Sequence, residues 1–130
     1  MKKILVTGGA GFIGTNLIKR LLKDNHKVVS IDNYSTGLKE NEQYGCQYFD
    51  ADISEVRDFN FFIDKPDIVF HLAAIPRIQP SFDNPLDTYH ANSTATINLL
   101  EWSRRIRCKV IYAGSSSFHG GISNNPYTMR

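Results

Sequence analysis

Lys3-Ile4-Leu5-Val6-Thr7-Gly8-Gly9-Ala10-Gly11-Phe12-Ile13-Gly14 runs from an unbroken β-favouring segment into glycines spaced G-x-x-G-x-x-G. An apolar run without alternation, ended by glycine, is the pattern of a strand buried on both faces. After Gly11, the apolar residues Phe12, Ile13, Leu17, Ile18, Leu21 and Leu22 recur at helical spacing. Lys19, Arg20 and Lys23 fall on the other face or in the last turn, where cations suit a helix C-terminus. The segment is therefore strand, tight turn, helix. In such a unit Gly8 permits the turn, Gly11 lets backbone amides approach a pyrophosphate, and Gly14 lets the helix pack closely on the sheet. The free amides at the helix start then meet the phosphate charge.

Outward from this unit the same alternation continues. Strands are expected at 27–31, 47–49, 67–72 and 109–113, with a long helical pattern over 86–105 that carries Tyr89, Ala95, Ile97, Leu99, Leu100 and Trp102. Strands alternating with helices imply right-handed crossovers and a parallel sheet, so the fold class is α/β, a Rossmann-like doubly wound sheet of about five strands. After Gly114 the periodicity ends, and Ser115-Ser116-Ser117 through Asn124-Asn125-Pro126 read as loop.

Asp32 closes the second expected strand, 18 residues beyond Gly14. A carboxylate there accepts hydrogen bonds from both ribose hydroxyls of an adenosine and repels a 2′-phosphate, which favours NAD over NADP. Lys39 is the nearby cation that acts in the opposite sense. A turn role for Asp32, ahead of Asn33, is the alternative.

The 130 residues, 42% hydrophobic and 22% charged, suffice for one domain with one core. Lys+Arg 15 against Asp+Glu 13 gives a net charge of +2, so no basic field invites a nucleic-acid partner. No apolar run approaches the roughly 20 residues that span a bilayer, and the apolar stretch after Met1-Lys2-Lys3 stops too early for a signal peptide. No membrane partner is expected. Cys46 and Cys108 lie far apart without metal-ligand spacing and read as reduced thiols of a cytoplasmic protein, so no metal site is expected.

With these residues assembled, the chain resembles the extended short-chain dehydrogenase/reductase family, the nucleotide-sugar epimerases and dehydratases, over nearly its whole length. Thr7-Gly8-Gly9-Ala10-Gly11-Phe12-Ile13-Gly14 is similar to the family's TGGAGFIG loop, and Asp32-Asn33-Tyr34-Ser35-Thr36-Gly37 to its DNxSTG segment. Asp50-Ala51-Asp52-Ile53 resembles the site after the third strand where Asp52 and Ile53 border the adenine. His71-Leu72-Ala73-Ala74 resembles the HxAA segment, whose Leu72, Ala73 and Ala74 line the cofactor. Asn92 stands where the family's N-x-x-G-T segment begins, with Ala95 in place of its glycine. By that resemblance Gly8, Gly11, Phe12, Ile13, Gly14, Asp32, Asn33, Asp52, Ile53, Leu72, Ala73 and Ala74 bind NAD. Plainer readings stand beside it: a turn residue at Asp52, a satisfied core histidine at His71, backbone stitching at Asn92, and packing for Trp102 and both cysteines.

Tyr112-Ala113-Gly114-Ser115-Ser116-Ser117-Phe118-His119-Gly120 resembles the family's YASSSSVYG segment, and Asn125-Pro126-Tyr127 the NPY that opens its catalytic helix. The resemblance makes Ser115 and Tyr127 the catalytic pair and a nucleotide sugar the substrate. Tyrosine has an ordinary pKa of about 10 and acts as a base only when positive charge lies close by, which the family supplies with nicotinamide and a lysine four residues on. That position falls one residue past Arg130. The chain is thus expected to be the N-terminal part of such an enzyme, truncated before the substrate domain, binding NAD without turning over a sugar nucleotide. Its fifth strand, left at an edge, is expected to call for a second copy or a completing chain. A non-catalytic dinucleotide-binding module, or a truncated gene product without turnover, is the alternative. Between epimerase and dehydratase, Ser116-Ser117 in place of the dehydratases' acidic pair lean toward epimerase.

Overall fold

A computed structural model describes residues 1–116. Five parallel strands, β1 (Lys3–Thr7), β2 (Lys27–Asp32), β3 (Cys46–Asp50), β4 (Ile68–His71) and β5 (Lys109–Tyr112), lie in the order β3-β2-β1-β4-β5. Helix α1 (Phe12–Lys23) crosses from β1 to β2. Between β4 and β5 run α2 (Gln79–Asp83), α3 (Pro85–Tyr89), a π-helical turn (His90–Thr94) and α4 (Ala95–Ile106). The strand order reverses at β1, which pairs with β2 on one side and β4 on the other. A doubly wound sheet opens its ligand crevice at that switch point, outside the carboxyl ends of the strands.

The uninterrupted apolar run of β1 follows from what covers it. Ile4 and Val6 join Ile18 and Leu21 of α1 and Val28 of β2 on one face. Leu5 turns the other way, into a cluster with Val29, Ile31, Val69, Phe59 and α4's Ala95, Leu99 and Trp102. Both faces are dry, so neither position set is polar. Ala95, where the resembled family has glycine, is fully buried in this second cluster. Trp102 is buried as expected and its indole N–H donates to Asn60 Oδ1 at 3.1 Å. Cys46 packs on the first cluster and Cys108 on the second, so the free thiols lie against opposite faces of the sheet. Burial pushes the Cys46 thiol up to about 12 and raises Cys108 as well, which keeps both protonated near neutrality.

Phe59 is wholly buried with its ring 5.2 Å from that of Trp102 and 6.4 Å from that of Phe62. Phe59→Ala is expected to lower the stability by about 3–5 kcal/mol through lost burial and the cavity left behind, read as a shifted midpoint in urea denaturation.

The structure departs from the periodicity in two places. Phe12 and Ile13 open the apolar pattern of α1 in sequence, yet they are 84% and 65% exposed: Gly14 and Thr15 of the same turn are the buried ones, so Phe12 and Ile13 lie off the side packed on the sheet. The pattern over 86–105 is helical but not one α-helix: the π turn at His90–Thr94 interrupts it, and Tyr89, Ile97 and Leu100 face solvent while Ala95, Leu99 and Trp102 are buried. The short helix α2 has no periodic signal of its own.

Candidate functional site

Segments at the carboxyl ends of all five strands meet around a cleft of about 370 Å³, within the roughly 300–1,000 Å³ common for small-molecule sites. From β1 come Gly8, Gly11, Phe12, Ile13 and Gly14; from β2, Ile31, Asp32, Asn33, Ser35 and Thr36. The turn after β3 supplies Ala51, Asp52 and Ile53. The segment after β4 supplies Leu72 through Pro76, and Ala91 and Ala113 complete the lining. Every residue that the sequence assigns to a cofactor therefore borders one space. Ser35, Thr36, Ile75 and Pro76 join them without having been singled out, although the first pair lies inside the DNxSTG segment. Ala91 and Ala113 carry no signal in sequence, since alanine marks neither charge nor turn.

Gly8 has φ +74°, and a Cβ there would lie 2.8 Å from the backbone nitrogen of Ala73. Only glycine takes both the left-handed turn and the contact with the β4 segment. Helix α1 then begins at Gly11 with no side-chain cap and no acidic residue in its first turn. Its leading amides and the positive end of its dipole face the cleft without a competing carboxylate, an arrangement that receives an anion.

Asp32 is 8% exposed. Its Oδ2 accepts from the Ala10 amide and its Oδ1 from the Tyr34 amide, each at 2.9 Å. The carboxylate thus ties the glycine loop to the turn after β2, the role left open as the alternative, while bordering the cleft. Each oxygen keeps a second lone pair. Lys39 does not border the cleft; its ammonium lies over the Tyr34 ring, 5.1 Å from the centroid. The Tyr34 hydroxyl donates to Glu42 Oε1 at 2.5 Å, and burial together with that carboxylate holds the phenol well above the ordinary tyrosine range.

Asp52 caps the 3-10 turn Ile53–Glu55, its Oδ1 accepting from the Ser54 amide at 2.9 Å and the Ser54 hydroxyl at 2.7 Å. Asn98 of α4 holds that turn from below, donating to Ser54 O at 2.9 Å. Asn92, in the π turn, accepts from the Ile75 amide at 2.8 Å and donates to Ile75 O at 3.0 Å. Its side chain thus stitches the π turn to the segment after β4 through the backbone of Ile75. His71 is a satisfied buried histidine, bonded to Thr7 and Thr96. Ser115 follows β5, two residues past the cleft-lining Ala113. Tyr127 lies outside the described residues. Among the described residues no group of three His, Cys, Asp or Glu side chains is placed to hold a metal ion, and no helix is long and apolar enough to cross a membrane.

The chain is 34% identical to Protein CapI of Staphylococcus aureus over 97% of its own residues and 41% of that protein's length. Its structure is similar to that of the UDP-N-acetylglucosamine 4-epimerase from Methanobrevibacter ruminantium in complex with UDP-N-acetylmuramic acid. That match has a TM-score of 0.87 and 32% identity, and covers 98% of this chain and 42% of the other. The Thermus thermophilus UDP-glucose 4-epimerase in complex with NAD is similar with a TM-score of 0.79 and 34% identity, over 87% of this chain and 37% of that one. The chain thus spans about two fifths of the length of these proteins. Residues 4–128 match the family described as NAD dependent epimerase/dehydratase. With a five-stranded parallel sheet, a glycine loop and Asp32 at one cleft, the chain belongs to the NAD dependent epimerase/dehydratase family, whose cofactor is NAD.

Proposed function

We propose that residues 1–130 are a dinucleotide-binding domain that holds NAD in this cleft and serves a nucleotide-sugar epimerase acting by transient oxidation of a sugar hydroxyl. The convergence of the uncapped α1 amides and the Asp32 carboxylate on one cleft carries the reading. The space at Gly11 supports the fit: a Cβ there would meet one atom within 4 Å, Gly8 O at 3.4 Å, so the absence of a side chain keeps the cradle open rather than relieving a clash.

Gly8, Gly11, Phe12, Ile13 and Gly14 would hold the pyrophosphate, Asp32 and Asn33 the adenosine ribose, and Asp52 and Ile53 the adenine edge. Leu72, Ala73 and Ala74 would form the wall toward the nicotinamide. When bound, NAD supplies the hydride acceptor. Ser115 would hydrogen-bond the reacting sugar hydroxyl, and Tyr127 would take and return its proton. Ser116 and Ser117, in place of an acidic pair, favour isomerase over dehydratase chemistry. The uncrosslinked thiols favour the cytoplasm. Ile111 and Tyr112, 39% and 62% exposed on β5, which is at the edge of the sheet among the described residues, favour pairing with a second copy or a completing chain.

The test is calorimetric titration of the chain with NAD and NADP. NAD is expected to bind at least about tenfold more tightly, because a 2′-phosphate would meet the Asp32 carboxylate. Asp32→Ala should narrow that ratio while weakening NAD. Equal affinity for the two dinucleotides would remove Asp32 from the ribose site, and no binding of either would overturn the reading.

A further inference from the structure

The wall of the cleft after β4 is not held by the sheet ladder alone. Thr7 and His71 are register partners on β1 and β4, 0% and 2% exposed, and Thr7 Oγ1 lies 2.7 Å from His71 Nδ1. The same Thr7 oxygen accepts from the amides of Leu72 and Ala73, each at 3.2 Å. On the far side of the ring, His71 Nε2 lies 2.8 Å from Thr96 Oγ1, and that hydroxyl donates to Asn92 O at 2.7 Å.

One arrangement satisfies all of these groups. Thr96 has spent its single hydrogen on Asn92 O, so His71 Nε2 must carry a proton and donate it. A neutral ring then has Nδ1 as acceptor, so Thr7 donates its hydroxyl hydrogen there and keeps both lone pairs for the two amides. The Leu72 amide is shared between Thr7 Oγ1 and Thr7 O, each at 3.2 Å, and the Ala73 amide donates to Thr7 Oγ1 at 3.2 Å. Leu72 and Ala73 line the cleft, and Ala73 nitrogen is the atom that a Cβ at Gly8 would strike, so this relay sets where the wall stands against the glycine loop.

We propose that His71, as the neutral Nε2–H tautomer, is a positioning residue for the dinucleotide: through Thr7 it fixes the Leu72–Ala73 wall against which NAD binds. The inference rests on the NAD reading of the cleft. His71 itself does not border the cleft. A proton added at Nδ1 would need the lone pair that Thr7 gives to the amides, and would leave the Thr7 hydrogen without its acceptor. Doubly protonated His71 therefore releases the wall. The groups facing the ring are Thr7 of β1, Thr96 of α4 and Tyr112 of β5, whose ring centroid is 6.0 Å away; Tyr112 is the titratable one. Neither ion pair among the described residues involves His71. Burial alone holds the imidazole below its ordinary value, so the neutral form persists through neutrality and is lost only as the pH falls further.

The experiment is NAD titration by calorimetry from pH 8 to pH 5 on the chain and on Thr7→Val, Thr7→Ser and His71→Leu, with circular dichroism to verify folding. Thr7→Val, isosteric but without the hydroxyl, is expected to bind about tenfold more weakly, and Thr7→Ser to restore affinity. The wild-type affinity should fall toward the acid end of this range, and His71→Leu should be weak and flat over the same range. Nitrogen NMR shifts of the His71 ring should report the Nε2–H tautomer. Wild-type affinity for Thr7→Val or an Nδ1–H ring would each overturn the proposal while leaving the NAD reading intact. If the wild-type chain binds no NAD at pH 8, the reading of the cleft fails and this proposal with it. If His71→Leu does not fold, the Thr7 pair and the NMR tautomer decide.

Discussion

Gly14→Ala is expected to weaken the fold by about 3 kcal/mol or more, read as a lowered midpoint in urea denaturation followed by circular dichroism. Two effects oppose each other at this position. Gly14 is the third residue of α1, where alanine is the better helix former by about 1 kcal/mol, so propensity alone predicts a gain. A Cβ there would lie 2.2 Å from Gly8 O and 2.7 Å from Gly9 Cα. Both atoms are backbone of the turn itself, with no side-chain end to swing aside. The methyl must push helix and turn apart, and the turn is pinned by the Gly8 amide on Ile31 O at 2.9 Å and the Ala10 amide on Asp32. The steric term wins. An unchanged or higher midpoint would mean that α1 does not lie this close to the turn.

Gly11→Val is expected to leave that midpoint within about 1 kcal/mol and to weaken NAD binding beyond a hundredfold, about 2.7 kcal/mol, by calorimetry. Gly11 has φ −78° and ψ 175°, extended backbone that valine adopts, and the space around its Cβ is open. The fold therefore tolerates the branch, which then stands among the leading amides of α1 where a pyrophosphate would approach. The variants form a pair: one glycine serves the packing of the unit, the other the cleft. NAD affinity retained in Gly11→Val would displace the pyrophosphate from the start of α1.

Much of this was legible in sequence because it is local. A strand ended by glycine and followed by a helical stripe specifies its turn through near neighbours, and Asp32 closes a strand whose length shows in its apolar run. The edges were less clear. Sequence periodicity placed β3 at 47–49, whereas pairing extends it to Cys46–Asp50, since an edge strand half open to water carries a weaker apolar signal than β1 or β2. Phe12 and Ile13 show the opposite limit. Both are apolar, but the small or polar Gly14 and Thr15 of the same turn are the buried residues, and an apolar residue type does not tell whether a sheet or an open cleft lies against it.

By itself, then, the sequence determined the α/β class, the glycine loop and the acidic end of β2, because each depends on conformations and spacings within about thirty residues. Only the tertiary structure decided that β1 separates β2 from β4, which brings five strand ends to one cleft. It alone set His71 between Thr7, 64 residues away, and Thr96, 25 residues on. Those contacts come from strand order and from helix packing across the sheet, and no local pattern of residues specifies which distant hydroxyl will meet a buried imidazole.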